Sequence, residues 1–197
     1  MTWEQAWQQG RTRWDAGTSP PILKDLVSDR TELVERAFVP GCGAGYDVFT
    51  LARAARSVVG LDVAPTAAKR FDALRREEEI DEERATLIVD DFFTFEPAAP
   101  FDLIWDYTFL CALEPERRQD WASRMATLLS DDGELWTLIF PVDPVPMNPG
   151  GPPYPMTPEL VRGLLEPTLR AVVLEPVTKS HPGREGKEWL GRWRRAR

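Results

Sequence analysis

The chain has 197 residues, of which 43% are hydrophobic and 28% charged, a composition typical of one globular domain, residues 1–197, with a sizeable core. Its formal net charge of −8 opposes binding to a polyanion, so we expect neither nucleic acid nor an anionic membrane as a partner. No apolar run is long enough to span a bilayer, no signal peptide is recognisable, and Cys42 and Cys111 lack metal-site or CxxC spacing. These features favour a cytoplasmic protein with reduced cysteines.

The N-terminal segment, residues 1–20, is rich in tryptophan. Trp3 and Trp7 are four positions apart and Trp14 follows seven positions later, a spacing that a helix would align on one face. Glycines at positions 10 and 17 interrupt such a helix. We therefore predict an N-terminal arm, whose rings either pack on the domain or close over a bound ligand.

Strand-like and helix-like segments alternate along the rest of the chain. Apolar runs predict strands at residues 36–41, 57–62, 85–93, 101–107, 133–140, 168–177 and 188–195. Helical spacing predicts helices at residues 46–56, 64–80, 114–130 and 157–165, with Pro115 at the first helical position of the third. This alternation predicts an α/β fold with a mostly parallel sheet and helices on both faces. The last two strands have no helix between them, so we expect an antiparallel strand at one edge.

Residues 141–156, "PVDPVPMNPGGPPYPM", are too rich in proline to form a helix or a central strand. They follow a predicted strand end, which is where open α/β sheets bind their ligands. We therefore predict an active-site loop here rather than a linker between domains.

The strongest ligand-binding pattern lies in "VPGCGAGYD", where Gly41, Gly43 and Gly45 occupy every second position after a strand. Glycines allow such a loop to turn sharply and bring its backbone close to a ligand. Asp62 ends the next strand, where a carboxylate can accept hydrogen bonds from ribose hydroxyls. Asp90 and Asp91 end the third strand, where a carboxylate can accept from an adenine amine. The loop lacks the P-loop lysine. The pattern predicts a nucleoside cofactor without a phosphate grip, which S-adenosylmethionine matches.

The sequence resembles the thiopurine methyltransferase superfamily, and most closely its halide/thiol (thiocyanate) methyltransferase branch. The resemblance is carried in family order by "WEQAWQQGRTRWDAGTSPP", "VPGCGAGYDVFTLA", "VVGLDVAPTA", "FDLIWDYTFLCALEPERRQDWASRMATLLSDDGELWTLIFP", "GGPPY" and "GKEWLGRW". It implies a class I S-adenosylmethionine-dependent methyltransferase with a Rossmann-like, seven-stranded sheet. The chain departs from the branch just before "GGPPY", where a histidine is usual and this sequence has "VPMNP". The only histidine is His181.

The resemblance also implies a set of cofactor contacts. Mapped by motif, these are Trp3, Trp7, Trp14, Gly41, Asp62, Asp91, Phe92 and Tyr107. Asp106, beside Tyr107 at the end of the fourth strand, either meets the cofactor amine or caps the segment that follows. Tyr154 of "GGPPY" either orients the methyl acceptor, assists its deprotonation, or packs as a turn aromatic. We expect Cys111 to pack rather than react.

The reaction that these features indicate is direct in-line transfer of a methyl group to a small soft nucleophile: halide, thiocyanate, hydrosulfide or a simple thiol. It needs no metal and no covalent intermediate. The alternative within the superfamily is methylation of larger aromatic or heterocyclic thiols, as in thiopurine methyltransferases. A nicotinamide dehydrogenase and a non-catalytic cofactor-binding protein remain as alternatives from other classes. We expect a small-molecule acceptor; the oligomeric state stays open, with a monomer favoured.

Overall fold

A computed structural model describes residues 2–142, 150–166 and 168–196. Its seven strands form a mostly parallel sheet, which confirms the predicted α/β fold class. The chain divides into two compact units, residues 1–96 and 97–197, and each is described separately below. The expectation that residues 1–197 make one domain stays a prediction.

The first unit contains a short three-stranded parallel sheet and four helices. Its strands are β1 (Val34–Pro40), β2 (Ala55–Asp62) and β3 (Ala85–Val89), in the order β3-β2-β1. Its helices are α1 (Trp3–Gln8), α2 (Pro21–Ser28), α3 (Tyr46–Leu51) and α4 (Pro65–Glu77). The core is built from apolar side chains of β1, β2, α3 and α4, among them Phe38, Leu51, Leu61 and Phe71, each at most 1% exposed.

Several boundaries in the first unit differ from the prediction. The helix after the glycine loop ends at Leu51 instead of continuing to residue 56, and β2 already begins at Ala55. Arg84 explains the early end, because its guanidinium donates hydrogen bonds to the carbonyls of Ala52 and Ala55. The third strand ends at Val89, so the predicted residues 90–93 form a turn instead.

The described part of the second unit has four strands and two α-helices. The strands are β4 (Phe101–Tyr107), β5 (Leu129–Ile139), β6 (Leu169–Pro176) and β7 (Trp189–Arg195), and the helices are α5 (Arg118–Leu128) and α6 (Pro158–Leu165). The strand order is β4-β5-β7-β6. β4 and β5 are parallel, whereas β7 is antiparallel to both of its neighbours. Four tryptophans fill this core, each at most 1% exposed: Trp105, Trp121, Trp136 and Trp193.

Three predictions for the second unit need correction. An antiparallel strand is present, but β7 lies between β5 and β6 instead of at an edge. Pro115 begins a 3-10 turn, Pro115–Arg117, and α5 starts only at Arg118. β5 starts at Leu129 instead of residue 133, because Leu129 pairs with Phe101 before an irregularity in the ladder. The missing side chain of Gly133 leaves room there for the Phe101 carbonyl, which would lie 3.0 Å from a Cβ.

None of the helices in the described residues is both long enough and apolar enough to cross a membrane.

Candidate functional site

The glycine loop of the first unit adopts the backbone conformation that its sequence predicts. Gly41, Gly43 and Gly45 all have positive φ, at 59°, 54° and 92°. Glycine is required at position 45 for two reasons: its φ is positive, and a Cβ there would overlap the ring of Phe71. The loop amide of Gly43 points at Asp62 and donates a 2.9 Å hydrogen bond to its Oδ2. The loop and the end of β2 are thus joined directly.

Asp62 is half-buried and holds two backbone amides. Its Oδ1 accepts from the Ala64 amide at 2.9 Å, while Oδ2 accepts from Gly43. Burial raises the pKa of this carboxyl, and the amide hydrogen bonds partly offset that rise. A carboxylate oxygen has two lone pairs, so each oxygen keeps one lone pair for a ligand hydroxyl. The geometry is suited to a vicinal diol such as that of ribose.

The residues that follow β3, for which the sequence predicts cofactor contacts, make different contacts within the protein. The Asp90 amide donates to the Asp62 carbonyl at 3.2 Å, which extends the β2–β3 ladder toward the site. Asp91 is exposed, and its Oδ1 accepts from the Phe93 amide at 2.8 Å. Phe92 is only 4% exposed and packs edge-on against Phe93. The cofactor contacts predicted for Asp91 and Phe92 stay predictions.

The tryptophans of the N-terminal arm cluster together. Trp3 and Trp7 lie in α1, and Trp14 returns after the turn at Gly10 to contact both, with ring centroids 5.1 Å and 6.1 Å away. Trp7 covers the glycine loop so closely that a Cβ on Gly43 would lie 3.2 Å from its ring. The arm therefore brings an aromatic surface to the loop that Asp62 also contacts.

A carboxylate that sequence reasoning missed holds the arm in place. Glu4 of α1 accepts hydrogen bonds from the Thr66 amide at 2.9 Å and from its hydroxyl at 2.7 Å. Thr66 lies in the first turn of α4, whose N-cap residue, Ala64, has no side chain that can cap it. These bonds lower the pKa of Glu4, the hydroxyl contributing more than the amide. The sequence shows an acidic residue between Trp3 and Trp7, which could have indicated this role. It does not identify the partner of that residue, which is 62 positions away.

The edge of the first unit also exposes apolar side chains beside Asp62. Val63 is 55% exposed and Val89, the register partner of Asp62 on β3, is 46% exposed. Apolar side chains next to a hydrogen-bonding carboxylate are typical of a small-molecule site that binds a planar ring. No sequence motif distinguishes either valine.

In the second unit, Asp106 at the end of β4 has a structural role. Its Oδ1 accepts from the Leu110 amide at 3.2 Å and its Oδ2 accepts from Trp121 Nε1 at 2.8 Å. The side chain is 3% exposed, and burial raises its pKa to about 6. Of the two alternatives predicted for Asp106, capping of the following segment is therefore present. Its contact with a cofactor amine stays a prediction.

Tyr107, the next residue, takes part in a different network. Its hydroxyl donates to Glu188 Oε1 at 2.5 Å and accepts from Arg184 Nη1, two partners that lie close to β7. Burial and then the charge of Glu188 raise the pKa of Tyr107. Thr108 follows with a φ of 61°, a conformation that β-branched residues rarely adopt and that tends to occur at functional sites.

A small pocket with about 220 Å³ of empty space lies at the ends of β4 and β5. Its lining includes Asp106, Cys111, Thr137, Phe140 and Met156. Burial and the charge of Asp106 raise the pKa of Cys111 to about 12, so this cysteine is a neutral thiol at physiological pH. That state agrees with the packing role predicted for it.

Tyr154 lies beside this pocket wall. Its amide donates to the Cys111 carbonyl at 2.7 Å, and its ring covers Gly151 so tightly that a Cβ there would overlap it. Gly151 also has a φ of 55°, so the motif "GGPPY" has a steric reason for its second glycine. Arg118 fixes the same stretch by donating to the Pro155 carbonyl at 3.2 Å. Of the predicted loop 141–156, residues 143–149 lie outside the described residues.

Comparison with known proteins adds to this geometry. The sequence profile of the family described as thiopurine S-methyltransferase (TPMT) matches residues 1–194. The chain is 42% identical to "Probable thiol methyltransferase 2" of Arabidopsis thaliana, over 98% of this chain and 84% of that protein. It is 41% identical to "Thiocyanate methyltransferase 1" of Brassica oleracea, with the same coverage of 98% and 84%.

A solved structure resembles the chain in fold. It is the 1,6-didemethyltoxoflavin-N1-methyltransferase of Burkholderia thailandensis, crystallised with 1,6-didemethyltoxoflavin and S-adenosylhomocysteine. The TM-score is 0.75 at 19% identity, covering 98% of this chain and 85% of that one. The class I methyltransferase fold that the sequence predicts is thereby confirmed.

Proposed function

The chain belongs to the thiopurine S-methyltransferase family, and from that premise we propose that it methylates a small soft nucleophile: a simple thiol, hydrosulfide, thiocyanate or halide. The observation that carries the proposal is the match, over 98% of the chain, to relatives named as thiol and thiocyanate methyltransferases. As a member of this family it is an S-adenosylmethionine-dependent methyltransferase.

The residues of the first unit fit S-adenosylmethionine. The Asp62 carboxylate keeps lone pairs for a ribose diol, and the glycine loop beside it has no bulky side chain to obstruct a ligand. The rings of Trp3, Trp7 and Trp14 provide aromatic surface, which favours a sulfonium cation by about 0.5–2 kcal/mol for each good contact. When bound, the cofactor supplies an electrophilic methyl group.

We also propose that the pocket at the ends of β4 and β5 receives the acceptor, and charge and water explain its apolar character. A cationic donor and an anionic acceptor give neutral products, so water stabilises the separated ions more than the transition state. A pocket wall made of residues such as Phe140 and Met156, 8% and 2% exposed, therefore favours the transfer by excluding water. No residue is required as a nucleophile, which agrees with the neutral thiol of Cys111.

The chain's identity of 41–42% to relatives named as thiol and thiocyanate methyltransferases favours small acceptors over the alternative, a larger aromatic or heterocyclic thiol. We further propose a cytoplasmic location, a small-molecule acceptor instead of nucleic acid, and a monomer, on the strength of the net charge of −8 and the cysteine usage.

Headspace gas chromatography tests the proposal. Purified protein with S-adenosylmethionine should release methyl iodide from iodide and methanethiol from hydrosulfide, with one S-adenosylhomocysteine formed for each product. Cofactor binding without any methylated product would identify a non-catalytic binder. Calorimetric binding of NAD instead of S-adenosylmethionine would contradict the cofactor assignment.

A further inference from the structure

A buried hydrogen-bond network joins the end of β4 to the segment before β7. Tyr107 is 8% exposed and Glu188 is 1% exposed, and the phenol donates to Glu188 Oε1. Arg184 Nη1 donates to the phenol oxygen from the other side. The direction of the Tyr107 proton is therefore fixed toward the carboxylate.

The second oxygen of Glu188 is the unexplained part of this network. Glu188 Oε2 is buried, yet it has no hydrogen-bond partner. Leaving a buried polar group unpaired costs about 1–3 kcal/mol, and more when the group is charged. Glu188 also belongs to "GKEWLGRW", a motif that carries the family resemblance and to which the reaction so far assigns no role. A buried carboxylate with a spare oxygen next to a strand end indicates a functional group.

The network adjoins the pocket at the ends of β4 and β5, because Tyr107 lies between two residues that line it, Asp106 and Thr108. The Arg184 guanidinium stacks over the rings of Tyr107 and Phe140, 5.2 Å and 4.9 Å from their centroids, and Phe140 lines the pocket. The ring of His181 stacks on Tyr107 at 6.4 Å. Glu188 and Arg184 are the charged groups that act on Tyr107, and His181 is the titratable group on its face. A guanidinium at this position favours negative charge that develops on an acceptor.

We propose that Tyr107 and Glu188 accept the proton of acceptors that arrive protonated, such as alkyl thiols. The proposal rests on the proposed function. In this proposal the Tyr107 hydroxyl meets the acceptor, and Glu188 is a positioning residue that acts through it.

The proton transfer is balanced as follows. The thiol S–H proton moves to the Tyr107 oxygen while the phenol proton moves to Glu188, so the phenol stays neutral and the carboxylate becomes a carboxylic acid. The thiol sulfur uses its electron pair to bond the methyl carbon, and the methyl–sulfonium bond breaks with its pair retained by the cofactor sulfur. After product release the proton returns through Tyr107 to solvent, which restores the carboxylate.

Two physical arguments favour a relay over a tyrosinate base. Burial and the charge of Glu188 raise the pKa of Tyr107, so a free phenolate does not form at neutral pH. A concerted transfer avoids that charged state, because the phenol loses one proton as it gains another. Iodide and thiocyanate carry no proton and have no use for the relay, which separates the two classes of acceptor.

Glu188→Gln tests the proposal, because the amide keeps the size of the side chain and an oxygen that accepts from Tyr107, but it takes up no proton. We expect the ratio of alkyl-thiol to iodide kcat/KM at neutral pH to fall about 100-fold or more. The loss should shrink as the pH rises toward the thiol pKa, because thiolate then forms in solution. Glu185→Gln is the matched control: Glu185 is exposed in the same segment, and the ratio should stay at the wild-type value.

Other outcomes overturn the proposal. An equal loss with iodide and thiol would indicate a structural role for Glu188, and an unchanged ratio would exclude any role in proton transfer. A thiol-selective loss in Tyr154→Phe without one in Glu188→Gln would assign the proton to Tyr154. Failure of the wild type with every small acceptor would refute the proposed function itself, which is a different result.

The wild-type enzyme gives a second measurement that does not depend on folding of a variant. The solvent deuterium isotope effect on kcat/KM should be normal with an alkyl thiol and absent with iodide. Equal isotope effects for the two acceptors would contradict the relay.

Discussion

The two compact units bring their functional residues together in different ways. In the first unit, the bond that joins the glycine loop to Asp62 connects residues 19 positions apart. In the second, the bonds that hold Tyr107 connect it to Glu188 and Arg184, 81 and 77 positions away. Asp62 accepts these hydrogen bonds from backbone amides, whereas the partners of Tyr107 are side chains. A motif of consecutive residues therefore indicates the contact between the glycine loop and Asp62 well and the network around Tyr107 poorly.

The largest expected effect tests whether the arm is part of the first unit's binding surface. A chain without residues 1–17 should remain folded, because Phe38 and Phe71 and most of the core lie outside the arm. Its methyl transfer should fall about 100-fold, since the aromatic cover of the glycine loop is lost. Circular dichroism with turnover of iodide measures both properties.

Two other results of the truncation would contradict this prediction. Full activity would remove the arm from the site, and unfolding would indicate that the tryptophans are structural. Glu4→Ala loosens the same arm with its chain intact, and it should lose less activity than the truncation because only the Thr66 contacts are removed. Glu77→Ala, at the other end of α4, is the matched control and should keep the wild-type rate.

Asp62→Ala tests the backbone-based part of the site. We expect the affinity for S-adenosylmethionine to fall by about 1–3 kcal/mol, because charge-assisted hydrogen bonds are lost. Isothermal titration calorimetry measures the change. Asp72→Ala, an exposed position on α4, is the control. Unchanged affinity in a folded Asp62→Ala protein would reject the ribose role.

Gly151→Ala makes the corresponding test in the second unit. A Cβ at position 151 would overlap the Tyr154 ring, and the positive φ adds strain, so the ring must move. We expect about a 10-fold lower kcat/KM for the acceptor with little change in cofactor affinity. Gly163→Ala in α6 is the matched control, because nothing lies within 4 Å of its Cβ position. A loss of cofactor affinity equal to the loss in kcat/KM would show that the effect is not confined to the acceptor.

A smaller effect concerns pH and Asp106. Its pKa rises from 3.8 to about 6 on folding, so between these values the folded state binds more protons than the unfolded state. The contribution of Asp106 to the free energy of unfolding therefore falls as the pH rises through this window and is constant above it. Urea unfolding at a series of pH values gives the free energy of unfolding of the wild type and of Asp106→Asn. The slope of this free energy against pH should differ between the two proteins only in that window. Parallel curves throughout would contradict the raised pKa.

The contrast between the units also explains what the sequence predicted. Gly43, Asp62 and the alternating segments follow local rules of turn geometry and periodicity, so the fold class and the glycine loop beside Asp62 were accessible from the sequence. The position of β7 between β5 and β6 is set by long-range pairing, which periodicity does not encode. Glu4 and Glu188 appeared as ordinary acids, because their partners Thr66 and Tyr107 are 62 and 81 residues distant. The early end of α3 likewise depends on Arg84, a residue 32 positions beyond the Ala52 carbonyl that it caps.

The proposed preference for small soft acceptors is tested most directly by kcat/KM with iodide, thiocyanate, hydrosulfide, bromide, chloride and a bulky aromatic thiol at one saturating cofactor concentration. Weakly hydrated, polarisable anions lose their water at lower cost and attack carbon more readily. We expect kcat/KM to be higher for iodide and thiocyanate than for bromide and chloride, and higher for hydrosulfide than for the aromatic thiol. Turnover of the aromatic thiol with no activity toward any of the small anions would contradict this expectation and establish the thiopurine-type alternative.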